Sequence, residues 1–343
     1  MWKGTRGLRV GNTRTLVGHV IPRHLGAKRT RAGVRSSIAI VTATAAVVAL
    51  LSGGIPVYAH ESAHTLSVNG QVDVPTTYTV DQLSALPQTT ATVSVGGHQV
   101  TETGVLLETL VTTAKPAFPS SLLNTKNELL RVTATVRGED HRPVTFAIGE
   151  LDAGFGNHPA LLALTENGRP IAGGPHLVVP GDRLPLRFVR GVSEVTVGIA
   201  SAPATNTTPT AGSPLVLHKT GQTVTLTSTF LNRLFRATLT VSFIGPGGTQ
   251  THTEVGPPLL EVLLFGGVFS DPFDTWVAAV GSDNYVATVT PGEQLVGGRP
   301  LQLSLVEDGV TLAQPRLVAS GDVHGGRYVS DMVDVYVGTG PAH

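Results

Sequence analysis

Two segments of this chain carry side chains that could do chemistry at close quarters. The first is L-D-A-G-F-G-N-H-P at residues 151–159. Its glycines let a ligand approach the backbone closely, and Asn157 and His158 offer an amide and an imidazole beside it. A surface loop is the other reading of that segment. The second is H-E-S-A-H, from His60 to His64. If a leader is removed after Ala59, a free amine and two imidazoles stand together there, a donor set that suits copper. Other routes are closed. The chain has no cysteine, which excludes disulfides, thiolate metal sites and cysteine nucleophiles. It has neither H-E-x-x-H nor G-x-S-x-G. I-G-P-G-G-T at 244–249 lacks the lysine and following helix of a phosphate loop and reads as a hairpin turn.

The elements that must position these groups come as a repeat. P-H-L-V-V-P-G-D-R-L-P-L-R-F-V-R-G-V-S-E-V-T-V-G from Pro175 aligns without a gap with P-R-L-V-A-S-G-D-V-H-G-G-R-Y-V-S-D-M-V-D-V-Y-V-G from Pro315. The offset of 140 residues is that of a domain, since solenoid units run about 20–50. Gly181-Asp182 matches Gly321-Asp322, and Arg187 matches Arg327. Upstream, Gly149-Glu150 matches Gly292-Glu293, L-A-L-T-E-N-G ending at Gly168 matches L-S-L-V-E-D-G ending at Gly309, and Ser94 matches Ser242. Segment 151–159 has no full counterpart. We expect two tandem like domains, residues 60–200 and 215–340, joined by a Pro/Thr/Ser/Ala linker at 201–214. Arg187 and Arg327, kept in both copies, should bind a backbone carbonyl or an acidic partner within their own domain. The Gly-Asp pairs should form turns.

The fold class expected is α+β and strand-rich, each domain a mixed sheet with short helices. Alternation at 131–136, 192–197 and 223–229 predicts strands with one buried face. Val105, Leu106, Leu110 and Val111 make one stripe of a helix at 104–113, with a counterpart at 257–265. A further short helix is expected at 78–87, capped by Thr79 and stopped by Pro87.

The zero net charge conceals an asymmetry. Residues 1–35 hold nine Lys or Arg and no acid, leaving 15 basic against 24 acidic side chains in the remainder. An acidic body argues against a nucleic-acid partner. The basic stretch precedes an apolar run at 38–51 and small residues up to Ala59, the order of a secretory signal or membrane anchor across 1–59. The body is therefore expected outside the cytoplasm, secreted or held at the cell envelope, and touching membrane only through that segment. No paired arginines precede the apolar run, so a twin-arginine signal is not evident.

In the first domain L-S-V-N-G-Q-V, Y-T-V-D-Q-L-S-A-L-P, T-G-V-L-L-E-T-L-V, V-T-F-A-I-G-E-L-D, E-N-G-R-P-I, G-G-P-H-L-V-V-P-G-D and R-F-V-R-G-V-S-E-V-T-V follow in order. That succession resembles the molybdopterin-binding domain of the sulfite oxidase family, and the second domain resembles it through the repeat. The resemblance implies a molybdopterin cofactor and a cysteine thiolate on molybdenum, placed in the strand ahead of T-G-V-L-L. Ser94 stands at that place, Ser242 at the matching one, and His98 follows the Gly-rich turn. A hydroxyl ionises far less readily than a thiol, so Ser94 would be a weak ligand or none. His176 stands where the resemblance implies a cofactor-holding arginine, and Arg316 is kept at the matching position. Arg183, Arg187 and Arg190 lie close in sequence, as an anionic pterin phosphate would require, whereas the second domain has only Arg316 and Arg327.

Three readings stand. One is an exported oxidoreductase of the sulfite oxidase type, holding a pterin in its first domain. Another is a non-catalytic pseudo-enzyme that reuses the fold to bind a small molecule or an envelope protein. The third is a copper-handling protein using the mature N-terminus, through His60 and His64.

Overall fold

The computed structural model describes residues 64–95, 97–122, 125–202 and 208–343. The basic leader, His60 and part of the linker fall outside them. In the first half the order is β1 (Thr65–Gly70), β2 (Thr76–Thr79), α1 (Val80–Ser84), β3 (Thr89–Val95), β4 (His98–Leu106) and α2 (Leu107–Ala114). There follow β5 (Val132–Arg137), β6 (Val144–Ala147), α3 (Ile148–Leu151), β7 (Leu161–Glu166), β8 (Arg169–Pro170), β9 (His176–Val178) and β10 (Glu194–Ile199). The second half runs β11 (Leu215–Lys219), β12 (Gln222–Leu226), α4 (Ser228–Leu231), β13 (Ala237–Gly245), β14 (Gly248–Gly256) and α5 (Leu259–Phe265). It closes with β15 (Thr275–Gly281), β16 (Val286–Val289), α6 (Pro291–Leu295), β17 (Leu301–Glu307), β18 (Val310–Ala319) and β19 (Met332–Thr339).

These strands form four sheets, so the fold is strand-rich with few, short helices. One sheet has the order β2-β1-β10-β5-β6, and another has the same order built from β12-β11-β19-β15-β16. In both, the pair linking the first strand to the last is parallel and the rest are antiparallel. The other two sheets are β3-β4-β7-β8, with β9 also on β7, and β13-β14-β17-β18. The lone bridges Leu177–Val189 and Leu317–Val329 fall at matching positions of the sequence alignment.

Local sequence explains several ends. Thr79 caps α1 as expected: its hydroxyl accepts from the Gln82 amide at 3.2 Å, and the Gln82 side chain accepts from the Thr79 amide at 2.8 Å. The helix expected at 104–113 begins only at Leu107, because residues 104–106 finish β4. Gly104 is needed there: a Cβ would stand 1.9 Å from the Leu162 carbonyl oxygen, and at the matching Gly256 it would stand 1.9 Å from that of Leu303. The strand expected at 223–229 stops at Leu226, since Thr227 turns to cap α4.

Each half has an apolar core, one around Leu66, Val105 and Phe146, the other around Leu217, Leu263 and Val289. Leu130 of the first half sits in the second core. The described residues from His64 to His343 form one compact body. The expectation of one buried face fails at β5, where Thr133 and Thr135 are buried as well as the valines. The reason is the other half: Thr133 accepts a hydrogen bond from the Ala342 amide at 3.0 Å, and Thr145, bonded to Thr135, meets Asp274 at 3.2 Å. No helix among the described residues is long and apolar enough to cross a membrane.

Candidate functional site

The most constrained polar groups are two matching ion clusters. Arg187, fully buried, donates from Nε and Nη2 to Asp182 at 2.9 and 2.6 Å, and from Nη1 to Glu150 at 2.7 Å. Arg327, equally buried, donates to Asp322 at 2.9 and 2.5 Å and to Glu293 at 2.7 Å. Each is a bidentate fork on one carboxylate with a third bond to another, so three of the five N–H donors are tied to acids of the same half. Glu150 and Glu293 come from α3 and α6, Asp182 and Asp322 from the Gly-Asp turns.

The clusters meet across the junction of the halves. A Cβ on Gly149 would lie 2.7 Å from Arg327 Cδ, and one on Gly292 would lie 3.4 Å from Arg187 Cδ. Gly149 thus makes room for the other half's arginine stem, and Gly292 packs against the opposite one, a reciprocal contact of the kind found in two-fold interfaces. Burial would raise the Glu150 carboxyl, but Arg187 and His158 outweigh it and hold it below the usual range. Burial pushes Glu293 up to about 6 against the pull of Arg327, and the charge of Glu150 adds to the push. The second of two facing carboxylates is the harder to ionise.

Segment 151–159 has a partial counterpart, two residues shorter, in the second half. A Cβ on Gly156 would meet the Glu150 carbonyl, and one on Gly297 would meet that of Glu293. His158 then matches Arg299. His158 lies 3.2 Å from Glu150 and 3.5 Å from Asp182, while Arg299 donates to the Gly321 carbonyl at 3.0 Å. The exchange of residue type at this place hid the match.

Two clefts open beside the clusters at matching positions. The smaller, of about 480 Å³, lies between the β3–β4 hairpin and the turn after β9; Ser94, Asp182, Arg183 and Phe188 line it. The larger, of about 780 Å³, lies between the β13–β14 hairpin and the turn after β18. Phe155, Phe243, Tyr285 and Tyr328 line it, with Lys126 and His324 among its polar groups. The difference is legible in sequence: Leu184-Pro185-Leu186 in the first half becomes His324-Gly325-Gly326 in the second. Those glycines admit rings, since a Cβ would stand 2.8 Å from Phe243 on Gly325 and 2.2 Å from Phe155 on Gly326. Phe155 is delivered by the 151–159 segment, held by its carbonyl to the Val323 amide at 2.8 Å and by the Gly154 carbonyl to the His324 amide at 3.1 Å. Tyr328 carries a buried hydroxyl with no hydrogen-bond partner. Burial, then Asp322 and Glu254, raise its pKa, so the hydroxyl stays protonated.

Of the residues singled out in the sequence, Ser94 and Arg183 share the smaller cleft, and Arg187 and His158 lie behind it in the ion cluster. Arg183 turns toward the other half, its amide donating to the Val296 carbonyl at 2.8 Å and its guanidinium resting against Gly298. His98, opposite Val95 in the hairpin, and Asn157, with φ 47°, are exposed and line neither cleft. His176 lines a third cavity with Glu166, and Arg190 lies over the Phe188 ring at 5.8 Å. Ser242 is exposed and bonded to Thr251 at 2.8 Å. Arg316 pairs with Glu307 and lies 3.5 Å from Glu254. His64 Nε2 lies 2.7 Å from the Val192 carbonyl. Among the described residues no group of three His, Cys, Asp or Glu is placed to hold a metal ion. The sequence reading passed over Phe155, Phe243, Tyr285 and Tyr328. It also read Gly181-Asp182 as a turn alone, although the joint retention of Glu150, Asp182 and Arg187 was visible in the repeat.

These residues do not fit molybdopterin. There is no thiolate in the chain, Arg187 is spent on Asp182 and Glu150, and the Ser94 cleft presents Arg183 beside the acidic Asp182. No protein-family model matches the chain, and no curated protein matches it. Among solved structures it is similar to the sulfane dehydrogenase SoxCD from Paracoccus pantotrophus, at 14% identity over 78% of this chain and 77% of that one, with a TM-score of 0.30. A likeness at that level carries no argument about function.

Proposed function

We propose that this chain is a non-catalytic, extracytoplasmic binding protein built from two copies of a domain resembling the sulfite oxidase molybdopterin domain. Its ligand is a small planar or aromatic molecule held in the larger cleft. The observation that carries the reading is the contrast between the two features of the site. Arg187 and Arg327, the arginine kept in both halves, are consumed as structure. The cleft beside the second cluster is widened by glycines and walled by four aromatic rings. Its volume of about 780 Å³ lies within the ordinary small-molecule range of about 300–1,000 Å³. Aromatic faces supply stacking, and Lys126 and His324 are among the polar groups that could orient a ligand there.

A panel of planar aromatic fragments, titrated against the purified protein by ligand-observed NMR, tests this. At least one should bind saturably. Phe243→Ala and Tyr328→Ala should each weaken it roughly three- to tenfold, the worth of one aromatic contact. Binding that ignores both substitutions, or no binding across the panel, overturns the proposal.

A further inference from the structure

The two halves differ at one buried position in a way that points to a second ligand. In the second half Glu254 and Glu307 stand opposite each other on β14 and β17. Arg316 from β18 reaches both through one nitrogen, Nη1, which pairs with Glu307 and lies 3.5 Å from Glu254, whose oxygens accept no hydrogen bond; its Nε donates to the Ser330 hydroxyl at 3.2 Å. In the first half Glu102 and Glu166 stand opposite each other on β4 and β7 in the same way. The position of Arg316 is taken by His176 and that of Ser330 by Arg190. His176 is too short to replace a guanidinium, and burial together with Arg190 lowers its pKa, which keeps the ring neutral near pH 7. Arg190 does not replace it either, for its guanidinium lies over Phe188. Glu102 is left 1% exposed with both carboxylate oxygens unpartnered. A cavity of about 570 Å³, lined by Glu166, Arg169, Ile171 and His176, opens on the Glu166 side of this pair.

We infer that this corner of the first half binds a small guanidino compound, whose guanidinium spans Glu102 and Glu166 as Arg316 spans Glu254 and Glu307. An unpaired buried carboxylate costs free energy that a planar, doubly donating cation recovers, and a guanidinium fits two facing carboxylates better than a compact ammonium does. The site is independent of the aromatic cleft and of its ligand.

Ethylguanidinium and ethylammonium, titrated by ligand-observed NMR against the whole protein at pH 7.5, are the probes. Ethylguanidinium should bind saturably and at least tenfold more tightly than ethylammonium. Glu102→Gln, close in shape, should weaken it at least tenfold. His176→Arg should supply the guanidinium from within, abolishing probe binding and raising the melting temperature above that of the wild type. If ethylguanidinium does not saturate, or binds Glu102→Gln as well as the wild type, the site is refuted. A His176→Arg protein that still binds the probe and melts no higher than the wild type refutes it equally.

Discussion

Arg327→Met should unfold at markedly lower denaturant than the wild type, with a loss of about 3–5 kcal/mol, the usual cost of breaking a buried ion pair from one side. Methionine fills most of the arginine's volume, so little of the loss comes from a cavity. The loss comes from Glu293 and Asp322, both buried, which would be left facing each other and Glu150 without a cation. The expectation sharpens with a compensated variant. Arg327→Met combined with Glu293→Gln and Asp322→Asn removes the stranded charges and should recover more than half of the loss. Because Arg327 packs on Gly149 across the junction, the single substitution should loosen both halves together, giving one cooperative transition rather than two. Urea unfolding followed by far-UV circular dichroism for the whole chain, beside the fluorescence of Trp276 for the second half, measures both points. A single substitution costing under 1 kcal/mol would mean that the cluster is not the joint described here.

The stability of the wild type should fall by about 2 kcal/mol between pH 5 and pH 8 through Glu102, and Glu102→Gln should not share that fall. Burial, then repulsion from Glu166, raises the Glu102 carboxyl to about 7. The folded chain therefore keeps a proton that the unfolded chain has released at lower pH. With more protons bound when folded, stability declines as pH rises from the usual carboxylate range through about 7. Glu293, raised to about 6, adds a decline of the same sign that both proteins share. The difference between the two proteins thus isolates Glu102: equal stability near pH 5, and a more stable Glu102→Gln at pH 8. Parallel curves across that range would contradict the account.

Much of the architecture was legible in the chain because the repeat announced it. Matching positions such as Leu177 and Leu317, or Val189 and Val329, end up in matching bridges, and the capping pair Thr79 and Gln82 forms as its spacing predicts. The acidic partners expected for Arg187 and Arg327 are present. What stayed hidden depended on pairing between segments distant in sequence. Residues 104–106 carry a helical stripe, yet the approach of Leu162 draws them into β4. The threonines of β5 look solvent-facing until the C-terminal tail covers them. The larger cleft takes Phe155 from one half and Phe243, Tyr285 and Tyr328 from the other, so no local window contained it. The exchange of Arg316 for His176 was legible in the repeat, but its place near the Glu102–Glu166 pair was not.

The central proposal is that the chain binds neither molybdenum nor a pterin. Metal analysis combined with pterin fluorescence, on protein purified after export from a host that makes molybdenum cofactor, tests it most directly. The account predicts neither molybdenum nor pterin, because the chain has no thiolate and the cluster arginines are committed to their own carboxylates. About one molybdenum per chain, released by Ser94→Ala, would contradict it and make the smaller cleft the working site.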